Sequence, residues 1–261
     1  MTDGYDSGFL DAELPLPRPA GAVVELPYPR FSVLLDPTRR LAAVTGVNID
    51  GARLREVPRS GDWRLDPRAD AEQQAGPEVY ARNDLDRGHL VRRRDPGWGD
   101  LDEARDATEA TFYYPNAAPQ AAGFNQSKEL WLGLEDHVLS YAETTNQRVS
   151  VFTAPVLAAG DLPYRGIRIP LTFWKVAAWN GPTGLAAAGF LLDQSELVNV
   201  REGVLAAPPL GAFRTFQVPI ADIADAAGVD LGVLVSGDVL PVQTARPGVW
   251  RELSAFDDIE L

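Results

Sequence analysis

Cysteine is absent from the 261 residues, and histidine occurs only twice, at His89 and His137. The first absence excludes disulfides and thiolate metal sites, and the second argues against a multi-histidine zinc centre. Any metal centre in this chain must therefore draw on oxygen ligands, which points to magnesium, manganese or calcium. Long hydrophobic runs are also missing. No stretch approaches the ~20 apolar residues needed to span a bilayer, so no membrane partner is expected. Residues 1–20 carry Asp3, Asp6, Asp11 and Glu13 and lack a basic start followed by an apolar run, unlike a secretory signal. The expectation is a cytoplasmic location, with export by another route or excision from a longer protein as alternatives. Lysine is nearly absent as well: Lys128 and Lys175 stand beside 22 arginines.

What is present describes a globular chain. Hydrophobic residues make up 45%, enough for a substantial core. The 23 glycines and 21 prolines are scattered, implying many turns between short elements. The net charge of -13 argues against a nucleic-acid partner at first sight. Its distribution reduces the force of that objection, because residues 53–94 hold ten arginines against eight acids. Arginine supplies the planar fork that grips phosphate oxygens.

Along the chain, residues 1–28 are rich in proline and acids and read as an extended N-terminal arm. Phe31 to Leu35 and Leu41 to Asn48 read as paired strands around the Asp36-Pro37-Thr38-Arg39-Arg40 turn. Residues 55–78, with three prolines and many charges, read as a long surface loop, a length usually associated with function. Val79 to Val91 reads as extended, Asp100 to Ala110 as helix-compatible, Thr111 to Tyr114 as a short aromatic strand and Asn116 to Phe124 as irregular. Ser127 to Glu143 is the strongest helix, with Leu130, Leu134, Val138 and Tyr141 at helical spacing and Ser127 as a possible cap. Arg148 to Thr153, Leu171 to Trp179 and Leu185 to Leu192 read as strands, and Ile220 to Ala227 as a short helix. Strands, then helices, then strands favour an α+β fold over alternating α/β.

One constellation carries chemistry. His89 follows Asp86-Arg87-Gly88 in an extended segment; Asn116, Asn125 and Glu135 come after it in order. Hydrolysis of a phosphodiester needs an activated water, charge stabilisation on the phosphoryl oxygens and help for the leaving oxygen. A histidine can serve as base for the first, and a hard cation with arginine can serve the others. Spacing alone does not show that these groups converge.

Leu85-Asp86-Arg87-Gly88-His89-Leu90, with Asn116-Ala117-Ala118-Pro119-Gln120, Phe124-Asn125-Gln126 and Trp131-Leu132-Gly133-Leu134-Glu135, resembles the DNA/RNA non-specific endonuclease family. These are the sugar-non-specific nucleases with a ββα-metal (His-Me finger) core. The likeness is clearest over residues 30–143 and looser over 148–161 and 173–194. It implies an α+β fold with a central antiparallel sheet flanked by helices, a single endonuclease domain over residues 29–261, and an Mg²⁺-dependent hydrolase (Mn²⁺ being possible) acting on DNA, RNA or both. It further implies His89 as general base, Asn125 as the direct Mg²⁺ ligand, Glu135 acting on metal-bound water, Asn116 orienting the site and Arg87 stabilising the transition state. The products implied are 5′-phosphate and 3′-hydroxyl ends.

Two positions depart from the family pattern. Asn125 and Glu135 are ten residues apart, two more than usual, which leaves Glu129, at i+4 from Asn125, as the alternative. The family's upstream arginine falls at Arg59, with Arg64 as competitor. Arg92-Arg93-Arg94 beside the tetrapeptide reads equally as a solvated charge run or as phosphate contacts. Two rival functions stand beside the nuclease: a non-catalytic nucleic-acid-binding or protein-interaction module on a nuclease fold, and a phosphodiesterase of small nucleotides. Because a cytoplasmic nuclease endangers its host, the expected control is an inhibitor or regulatory protein, a fused sensor domain or a homo-oligomer.

Overall fold

The computed structural model describes residues 3–59, 61–121, 131–198, 200–201, 204–205, 214–240, 250–253 and 259. Its centre is an eight-stranded antiparallel sheet. The strands are β1 (Val24–Tyr28), β2 (Phe31–Asp36), β3 (Leu41–Asp50), β6 (Arg148–Pro155), β7 (Thr172–Gly181), β8 (Gly184–Asp193), β9 (Arg214–Val218) and β10 (Arg251–Glu252). A separate two-stranded ribbon is made by β4 (Leu85–His89) and β5 (Ala117–Ala121). The large sheet runs in the order β10-β9-β8-β7-β6-β3-β2-β1, with β7 and β8 paired from Thr172 opposite Asp193 to Gly181 opposite Gly184.

Strand alternation divides the interior into two apolar cores. Phe173, Ala177 and Trp179 of β7 face one core, and Trp174, Val176 and Ala178 face the other. The first core is closed by the ribbon, by α1 (Pro77–Tyr80) and by α3 (Trp131–Thr145), through Leu85, Ala117, Val79, Val138, Leu139 and Ala142. The second is closed by α4 (Ile220–Ala227) with Ile220 and Ile223, and by Phe9, Leu10 and Leu14. α2 (Leu101–Ala110) begins at Asp100, whose side chain accepts from the Asp102 N–H as an N-cap.

Several expectations are corrected. Residues 3–28 are not an extended arm: Leu10 and Leu14 are each 1% exposed, and β1 joins the sheet edge, where Pro27 removes no needed ladder bond. The 55–78 segment folds onto the body, with buried Gln74 donating to the Asp66 and Ala69 carbonyls at 2.8 and 2.9 Å. Val79–Val91 begins inside α1 before it extends as β4. Thr111–Tyr114 is a turn leading into a 3-10 helix over Tyr114–Asn116, because its aromatic rings pack inward rather than onto a ladder. Residues 117–121, expected to be irregular, form β5. The strands, helices and antiparallel order otherwise match the α+β expectation, and the expected helix start at Ser127 and Leu130 lies outside the described residues.

Candidate active site

The ribbon presents the tetrapeptide. Asp86 lies opposite Gln120, Arg87 opposite Pro119, Gly88 opposite Ala118 and His89 opposite Ala117. Gly88 is required by close approach: a β-carbon there would sit 2.0 Å from Cδ of Gln120, a residue only 1% exposed. Just beyond His89 the chain is clamped by Asn116, which is fully buried. Its Oδ1 accepts from the Val91 N–H at 2.9 Å, and its Nδ2 donates to the Val91 carbonyl at 2.9 Å and the Thr111 carbonyl at 3.0 Å. The Asn116 carbonyl also accepts from the Leu90 N–H at 3.0 Å. These three bonds of its amide all go to backbone, so Asn116 positions the strand that carries the histidine.

The His89 ring sits between Trp63, with centroids 4.6 Å apart, and Phe112, which meets it edge-on at 5.1 Å. The residue as a whole is half-buried, yet its Nε2 is fully covered and has no hydrogen-bond partner. Burial first, then the charges of Arg59, Arg93 and Arg92, push its pKa down from 6.5 to about 3. The ring is therefore neutral at physiological pH, with an acceptor to offer. Arg87 is held over the Tyr80 ring at 5.4 Å, and its Nε is buried without a partner.

The remaining arginines divide. Arg92 turns inward: it pairs with Asp136 of α3 at 2.6 Å and adjoins a small void together with Asp95 and Lys175. Arg93 donates to the Val57 carbonyl at 2.8 Å, and burial with the like charges of Arg59, Arg94 and Arg92 pulls its pKa below the ordinary arginine value. Of the two candidates for the upstream arginine, the charge of Arg59 reaches His89, whereas Arg64 lies over the Tyr113 ring at 4.2 Å. Asn125 and Glu129 lie outside the described residues. Glu135 is placed by its backbone in the first turns of α3, and His137 follows it in the same helix.

The chain thus has two strands carrying the histidine followed by a helix, the order a ββα site requires. Among the described residues no group of three or more His, Cys, Asp or Glu side chains could hold a metal ion. Trp63 and Phe112, which flank the His89 ring, have no sequence spacing that would have revealed them.

Comparison with known proteins now decides the family. The model of the DNA/RNA non-specific endonucleases matches residues 16–236. This chain belongs to that family. An uncharacterized protein, y4fB, of Sinorhizobium fredii is 37% identical over 99% of this chain and 42% of its own length. The mitochondrial endonuclease G of Homo sapiens is 30% identical over 66% of this chain and 56% of its own, and that of Bos taurus 30% over 65% and 55%. The chain spans about half the length of these curated relatives. A solved structure of an EndoG/EndoGI complex, titled for the mechanism of EndoG inhibition, superposes with a TM-score of 0.61 at 19% identity, covering 80% of this chain and 85% of that one. The fold is that of the ββα-metal nucleases, with a central antiparallel sheet.

Proposed function

We propose that this chain is a magnesium-dependent endonuclease that hydrolyses DNA, RNA or both, with His89 as the general base. The observation that carries this reading is the covered, unpartnered Nε2 of a histidine held neutral between two aromatic rings and beside several guanidinium groups. A neutral imidazole with an unused nitrogen can accept the proton of an attacking water, and the cations that lower its pKa are themselves suited to a phosphodiester.

Arg59, whose charge reaches His89, and Arg87, two residues before it in the same strand, are the arginines offered for the phosphoryl oxygens. Asn116 holds the backbone at Leu90 and Val91, so that the ring stays where the ribbon points it. Mg²⁺, held by Asn125 and by Glu135 through water, would supply charge neutralisation on the phosphoryl and leaving oxygens. Proton acceptance at His89 leaves an imidazolium, which burial and the surrounding arginines make a strong acid. The proton is therefore passed on readily, returning the base for the next turnover. The proposed products are 5′-phosphate and 3′-hydroxyl ends. The inhibitor-bound EndoG structure supports an inhibitor protein as partner for this chain too.

The test incubates the protein with plasmid DNA and total RNA, with Mg²⁺ or with chelator, beside His89→Ala. Cutting that needs Mg²⁺ and is lost in the variant is the expected result. Persistence of both substrates under all metal conditions would overturn the nuclease reading, and equal cutting by the variant would overturn the role of His89.

A further inference from the structure

A cavity of about 480 Å³ is lined in part by Arg59 and Arg93, two of the arginines whose charge reaches His89. Arg55, Arg59, Arg93 and Arg94 line it, against a single carboxylate, Glu56, and its wall includes Thr108 of α2. Backbone contacts build the walls: Arg55 N–H donates to the Gly97 carbonyl at 2.8 Å, and Gly99 N–H donates to the Arg53 carbonyl at 2.9 Å. Two of the guanidinium groups are steadied by backbone carbonyls. Arg55 Nε donates to the Gly99 carbonyl at 2.8 Å, and Arg93 Nη1 to the Val57 carbonyl at 2.8 Å. Among the described residues, none of the four has an ion pair with a carboxylate. Elsewhere on this chain arginines do find acids, as Arg92, Arg68 and Arg39 do.

A second observation points to a ligand. Thr108 is 1% exposed, and its Oγ1 has no hydrogen-bond partner. An unmatched buried hydroxyl beside four unneutralised guanidinium groups is the arrangement expected where an oxyanion supplies the missing acceptors. The charge of the whole chain, -13, makes the local excess more significant, since most of the surface must repel a polyanion.

We propose that this cavity is a second phosphate site, which grips a backbone phosphate that is not cut while the scissile one lies at His89. The proposal rests on the nuclease reading and adds to it. Arg55, Arg93 and Arg94 bind a flanking phosphate of the same strand, and Arg59 stands between the two sites, since its charge also reaches His89. The ligand chemistry is a phosphate oxyanion, and a polynucleotide strand is the source argued for. Strands long enough to reach both sites then bind better than single phosphodiesters, and base identity contributes little, because phosphate contacts carry no sequence information.

The test measures binding of a fluorescent 12-nucleotide single-stranded DNA in EDTA, so that no cutting is involved, over a range of salt. Wild type is compared with Arg94→Ala, Arg55→Ala and the charge-preserving Arg94→Lys. Each alanine variant is expected to bind roughly tenfold more weakly and to flatten the log–log salt slope by about 0.7, the value of one single-strand phosphate contact. Arg94→Lys is expected to keep the slope. Inorganic phosphate at millimolar concentration is expected to compete with the oligonucleotide in wild type and much less in the alanine variants. Unchanged affinity and slope in both alanine variants would overturn the proposal, as would loss of phosphate competition alone with the oligonucleotide still bound as in wild type. Cutting of plasmid by wild type is scored separately, so a failure of the nuclease reading is distinguishable from a failure of the second site.

Discussion

The side chain of Gln120 fills the space that Gly88 leaves empty: a β-carbon on Gly88 would fall 2.0 Å from both Cδ and Oε1 of Gln120. The glycine next to the histidine is thus a packing requirement of the ribbon. Its φ is not in the left-handed region, so the constraint is one of space alone. Gly88→Ala is expected to lower stability by about 1–3 kcal/mol, as overpacking does, and to displace His89 enough to reduce cutting sharply. Gly88→Ala/Gln120→Ala restores the space and is expected to recover most of the stability in urea melts. A double variant no more stable than the single one would show that Gln120 is not the obstacle.

Asn116 gives a different signature. Its three side-chain bonds satisfy buried backbone groups of Val91 and Thr111. Asn116→Ala leaves them unmatched and is expected to destabilise the fold by on the order of 3 kcal/mol, read as a fall in Tm. Whatever variant remains folded is expected to lose kcat more than affinity for nucleic acid, because the residue acts through the His89 strand and not on the substrate.

The depressed pKa of His89 sets a pH profile. The free protein keeps His89 neutral down to about pH 3, so with His89 as the proposed base the acid limb of kcat/KM is expected well below 6.5. Arg59→Gln removes a nearby positive charge, which favours the imidazolium and raises the pKa. The limb is then expected to move to higher pH, whatever happens to the maximal rate. An acid limb near 6.5 in wild type, or a shift to lower pH in Arg59→Gln, would contradict the coupling.

The same shift links to stability. An unfolded histidine takes up a proton near pH 6.5, and the folded one resists until about 3. The folded state therefore loses ground to the unfolded state as pH falls through that window. His89→Asn, which cannot titrate, is expected to gain stability relative to wild type between pH 7 and pH 4.5 in metal-free urea melts. Parallel curves for the two proteins would mean that the folded and unfolded histidines titrate alike.

Much of the fold can be read in the chain, and the exceptions have physical causes. The strands of the main sheet are apolar runs bounded by turn residues, and Ile220–Ala227 is amphipathic and closed by Gly228 at φ 63°. β5 escapes detection because Ala117-Ala118-Pro119-Gln120-Ala121 has poor strand propensity and becomes a strand only by pairing with β4. The N-terminal residues look like an arm by composition, but Phe9, Leu10 and Leu14 are enough to bind them to the second core. In the site, the histidine and its clamp are visible as ordered motifs. The aromatic walls are not, since Trp63 and Phe112 meet His89 only through tertiary packing, and the two-residue excess before Glu135 falls outside the described residues.

At its far end, the main chain of α3 comes close to the turn after β3. A β-carbon on Gly51 would lie 1.9 Å from the Ala142 carbonyl oxygen, and Gly51 N–H donates to the Gln147 carbonyl at 2.9 Å. That seat resists sliding of the helix along its axis, while Val138 and Leu139 in the first core and the Asp136–Arg92 pair set its tilt. From Ala142 back to Glu135 is a lever of roughly 10 Å at the α-helical rise. A tilt of ~5° therefore moves the backbone at Glu135 by about 1 Å, a displacement that can slow an enzyme ~100-fold. Gly51, itself without a side chain, thereby helps to fix where the backbone at Glu135 stands.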